Sequence, residues 1–74
     1  MIKSDISFQP IAPEEVDTII GQRSTGVMVD YKEYTDIDGI LRSTLRTYAS
    51  VDGSYYLQIA TKWGEGFSWR EVPV

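Results

Sequence analysis

Apolar and polar residues follow a helical period in one short stretch and a period of two through most of the chain after it. Within residues 13–20, Val16, Ile19 and Ile20 stand at i, i+3 and i+4, the spacing that lays an apolar stripe along one side of an α-helix. Pro13 suits the first helical position, where its missing N–H would have no partner anyway. Glu14, Glu15 and Asp17 set negative charge at the positive end of the helix dipole. Ile11 and Val16 have the spacing of a hydrophobic staple, and Gly21 is the predicted stop. A helix this short does not persist alone, so it must pack on a sheet.

The sheet follows from the alternating runs. Val27-Met28-Val29-Asp30-Tyr31 opens a strand over residues 27–35, and further strands are expected over 40–49, 55–63 and 67–72. Asp38-Gly39, Asp52-Gly53 and Gly64-Glu65-Gly66 punctuate them, and Asp-Gly between alternating runs is a strong hairpin signal. The predicted class is therefore α+β: a four-stranded antiparallel β-meander with one short helix packed on one face. Residues 4–9 also alternate, with Ile6 and Phe8 on one side, before Pro10 and Pro13 interrupt. Residues 1–12 thus read either as an extended arm or as an extra N-terminal edge strand. No repeat or linker composition divides the chain, so residues 1–74 form a single domain.

Strict alternation also assigns faces. Val27, Val29, Leu41 and Leu45 are expected to join Leu57, Ile59, Phe67 and Trp69 toward the helix. Thr44 and Gln58 then point away, with a basic and aromatic set made of Arg42, Arg46, Tyr48, Tyr56, Lys62 and Arg70.

Composition narrows the chemistry. At 74 residues with 42% apolar content, the chain can build a core, though only a small one. It has no Cys and no His, which removes disulfides, thiolate metal sites and the commonest general base. The six glycines fall where turns or a helix stop need them, leaving no phosphate-cradling loop. Glu14/Glu15 and Asp36/Asp38 are carboxylate pairs on paper, but a helix start and a turn explain them. The sequence therefore predicts a non-catalytic protein with no cofactor and no metal. With neither an apolar leader at its start nor a run long enough for a membrane span, a cytoplasmic location is expected and no membrane partner.

Charge is uneven along the chain. The net charge is −4, with eight acids and three bases in residues 1–40 against three acids and four bases in residues 41–74. Acidic balance disfavours free nucleic acid as the main ligand. Two surfaces remain as candidates for function. The acidic helix start above its apolar stripe would suit a protein partner that normally holds DNA. The sheet face carrying Arg42, Arg46, Tyr48, Tyr56, Lys62 and Arg70 would suit stacked bases and phosphates, the alternative being a nucleic-acid-binding module.

The stretch Pro13-Glu14-Glu15-Val16-Asp17-Thr18-Ile19-Ile20-Gly21, followed by Val27-Met28-Val29 and a meander, resembles the phage uracil-DNA glycosylase inhibitor family. That family has a Pro-Glu-Glu-Val helix ending in Ile-Gly and then a strand. Thr18 stands where the family carries a further acid, and the family's Glu-Ser-Ile edge motif is absent, with only Ser4-Asp5-Ile6 nearby. The resemblance implies an inhibitor that mimics DNA to a DNA-repair enzyme, without catalysis or cofactor. It implies partner contact through Glu14 and Glu15, and an apolar recess lined by Val16, Ile19, Ile20 and Val29 that takes up an enzyme side chain.

Overall fold

A computed structural model describes residues 7–74. The chain runs through β1 (Gln9–Ile11), a 3-10 turn (Pro13–Glu15), α1 (Val16–Arg23), β2 (Met28–Thr35), β3 (Leu41–Ala49), β4 (Tyr55–Lys62) and β5 (Gly66–Pro73). The strands form one five-stranded antiparallel sheet in the order β1-β5-β4-β3-β2. The meander is thus present, with the extra N-terminal strand at its edge. That strand lies at residues 9–11, later than the alternation of residues 4–9 suggested; residues 1–6 lie outside the described residues. Pro10 sits within β1 opposite Ser68, and an edge strand tolerates proline because one side of its backbone needs no ladder partner.

This order explains where the helix lies. β1 and β2 occupy opposite edges, so the segment between them must cross the whole sheet. Four strand spacings make that roughly 19 Å, whereas eight helical residues advance only about 12 Å. The helix therefore covers the middle and leaves the far side bare. Its apolar stripe lands on β4: Val16, Tyr48, Leu57 and Ile59 are the buried core, with Ile11, Ile19, Ile20, Tyr55, Phe67 and Trp69 packed around them.

Gly21 does not stop the helix, which continues to Arg23. The last turn is held by its neighbours instead. The Ser24 hydroxyl donates to the Ile20 carbonyl at 2.6 Å and accepts from Gly26 N–H at 3.1 Å. Arg23 lies over the Trp69 ring at 4.6 Å and pairs with Glu71 at 3.6 Å. Gly26, rather than Gly21, takes the positive φ that turns the chain into β2.

The face assignment is half right. Tyr48 pairs with Leu57 and Arg46 with Ile59, so an even number of residues separates partners across this hairpin. Even-numbered residues of β3 consequently share a face with odd-numbered residues of β4. Tyr48 and Arg46 point to the helix side, and Leu45, opposite Ala60, points to the open side. Val27, Val29 and Leu41 remain exposed, because β2 and the start of β3 lie beyond the reach of the helix. Leu57, Ile59, Phe67 and Trp69 are placed as expected.

Candidate functional site

β1 hydrogen-bonds to β5 and delivers the chain to Ala12, whose carbonyl accepts from Glu15 N–H at 2.9 Å to close the 3-10 turn. Glu14, Glu15 and Asp17 are all exposed there, while Val16 between them is buried. No side chain caps either helical segment, so the first N–H groups present their partial positive charge to these carboxylates. Among the described residues, none of the three acids pairs with a base. Three acids elsewhere are tied to bases: Glu71 to Arg23, Asp36 to Arg42 and Glu65 to Lys62. The helix start is therefore a concentration of uncompensated negative charge in an already acidic protein.

The apolar side of the same helix is occupied by its own sheet. Val16, Ile19 and Ile20 pack with Leu57 and Ile59. Five of the six expected partner-binding residues thus come together: Glu14, Glu15, Val16, Ile19 and Ile20. Val29 does not join them. It sits in β2, at the far edge of the sheet, in a bulge between Met28 and Asp30, and is half exposed.

The basic and aromatic set does not form one surface. Tyr48 is buried beneath the helix, and its hydroxyl accepts from Arg46 Nη1 at 3.2 Å. Tyr56, Lys62 and Arg70 share the open face, since even-numbered residues of β4 and β5 pair with one another. Arg42 stands at the bulge opposite Thr35, with Nε 2.7 Å from Asp36 Oδ2 and its guanidinium 4.3 Å over the Trp63 ring. Lys62 pairs with Glu65 at 3.1 Å. Arg70 Nε donates to Gln58 Oε1 at 2.8 Å, and its guanidinium covers Phe8 at 4.3 Å.

The open face carries a shallow cleft of about 330 Å³, floored by Leu45, Ala60 and Ser68 and walled by Tyr34 and Phe8. Sequence reading did not single out Tyr34, Phe8 or Trp63 as surface groups. For Trp63 a signal exists, an aromatic at a strand end immediately before a Gly-Glu-Gly turn. Asp36 and Asp52 are also more than turn-formers. Asp36 accepts from the backbone N–H of Asp38 and Ile40. Hydrogen bonding from Ile40 and then from Arg42 holds its carboxyl below the usual range. Asp52 accepts from the Ser54 and Ser50 hydroxyls and from Ser54 N–H, and its carboxyl is lowered by Ser54 first.

In comparisons with protein-family models, curated proteins and solved structures, no match to this chain was found. Among the described residues, no helix is long and apolar enough to cross a membrane.

Proposed function

We propose that this chain is a small non-catalytic binding protein that inhibits a nucleic-acid-acting enzyme, and specifically that it mimics DNA to a uracil-DNA glycosylase. The observation that carries this reading is the helix start. Glu14, Glu15 and Asp17 are exposed there without a basic partner among the described residues, directly above the Val16, Ile19 and Ile20 stripe. Uncompensated carboxylates on a fixed frame attract a basic DNA-binding groove at long range and set the capture rate. The sequence resemblance over residues 13–21 supplies the identity of the enzyme.

The nucleic-acid-binding alternative has lost its shared platform, because Tyr48 and Arg46 face the helix while Tyr56, Lys62 and Arg70 face away. The direct test mixes purified protein with a bacterial uracil-DNA glycosylase and follows cleavage of a uracil-containing oligonucleotide. Inhibition is expected at stoichiometric protein, with Glu15→Lys slowing association while leaving the fold intact. Full cleavage at a large molar excess of wild-type protein sinks the proposal.

A further inference from the structure

We infer that the chain self-associates through β2, two copies joining edge to edge about a two-fold axis at Tyr31. The sheet has two edges of very different kinds. The β1 edge is three residues long and contains Pro10, which blunts it. The β2 edge is eight residues long, contains no proline, and is exposed along its whole length. Among the described residues β3 is its only neighbour, so one row of backbone N–H and C=O groups has no strand among them to pair with. Such a row is a template for another strand.

Large apolar groups concentrate at the same place. Val27, Met28, Val29, Tyr31 and Tyr34 are all exposed, and Ile37 in the adjoining loop is fully so. An exposed apolar concentration of this kind, rimmed by charges, marks an interaction surface.

Charge selects the occupant and the register. Antiparallel strands related by a two-fold axis place residues of like parity opposite one another. With Tyr31 on the axis, Lys32 of each copy faces Asp30 of the other. Both side chains lie on the open face, where Asp30 pairs with Thr47 and Lys32 with Leu45 of β3. Moving the axis by one residue sets Lys32 against Lys32 or Asp30 against Asp30, and like charges directly opposite are destabilising. Of these three registers, the one centred on Tyr31 sets opposite charges against each other and matches the edge to a second copy of itself. The two Tyr31 rings meet on the other face, an aromatic cross-strand pair. Closure is complete at two copies, because the symmetric contact consumes both β2 edges and leaves only the proline-bearing β1 edges outside.

Sedimentation analysis over a concentration series tests this without any knowledge of the enzyme target. Wild-type protein is expected to form a dimer. Lys32→Asp and Asp30→Lys, each alone, place like charges opposite at two symmetric positions and should weaken the dimer about tenfold or more. The double variant restores opposite charges and should recover the wild-type affinity. Both sites are exposed, so the melting temperature of the monomer should barely move. A chain that stays monomeric at every concentration overturns the inference. So does a dimer whose dissociation constant is the same in the wild type, both single variants and the double variant.

Discussion

β4 and β2 are both eight residues long and both mix apolar with polar side chains, yet one is the core of the molecule and the other is entirely exposed. Leu57 and Ile59 of β4 have no solvent exposure, whereas Val29 and Tyr34 of β2 are 51% and 50% exposed. Composition does not separate them. Position does: among the described residues, β4 has a strand on each side and a helix above, while β2 has one neighbour and no cover. In a sheet crossed by a single short helix, the middle is buried first and the last strand pays for the shortfall.

The sharpest way to break this contrast is to shorten side chains in both strands. Leu57→Ala or Ile59→Ala removes fully buried groups and should cost about 2–5 kcal/mol in urea unfolding. Val29→Ala should stay within about 0.5 kcal/mol. Edge-to-edge pairing leaves both faces of β2 open, so comparable losses at Ile59 and Val29 would mean that something else covers a face of β2 in solution.

The two hairpins allow a finer comparison. Gly39 and Gly53 have φ of +79° and +77°, and open space surrounds a Cβ built at either. Alanine at each therefore carries the same backbone penalty, of order 1 kcal/mol. If the β2 hairpin frays ahead of global unfolding, Gly39→Ala will lower global stability less than Gly53→Ala. Equal losses by denaturant titration would show that β2 melts together with the core.

Acid provides the smallest probe. Asp36 holds the β2–β3 loop and Asp52 the β3–β4 loop, each through hydrogen bonds to its carboxylate. Both carboxyls are lowered in the folded chain, so the unfolded chain binds protons more tightly. Their contribution is complete above about pH 4, the ordinary carboxylate value, and is lost as pH falls through the lowered folded values. Melting temperature followed from pH 6 to pH 2 should fall less steeply in Asp52→Asn than in wild type. Parallel curves would place the acid sensitivity elsewhere.

The β-strand boundaries from β2 onward were legible in the sequence almost to the residue. Asp-Gly pairs and a Gly-Glu-Gly turn punctuate alternating runs, and these signals are local. The start of the helix was legible for the same reason, through Pro13 and the acids after it. Its end was not: Arg23 is held by the Trp69 ring, by Glu71 and by the Tyr55 hydroxyl, which donates to its carbonyl, and these residues far along the chain carry the helix past Gly21. Of the candidate sites, the charged side of the helix could be read directly, because an exposed acid at a helix start needs no tertiary partner.

The faces of β3 could not be read at all from alternation alone. Period two says that Arg46 and Tyr48 share a side and that Leu45 takes the other, but not which side meets the helix. The pairing of Tyr48 with Leu57 decides that, and it scatters the basic and aromatic set to both sides. The sequence by itself determined the elements, their order and the acidic helix start, since turns, caps and local charge are short-range effects. Only the tertiary structure decided which strand is buried, which edge stays open and which side chains share a surface. Those depend on hairpin register and on how far one short helix can reach across five strands.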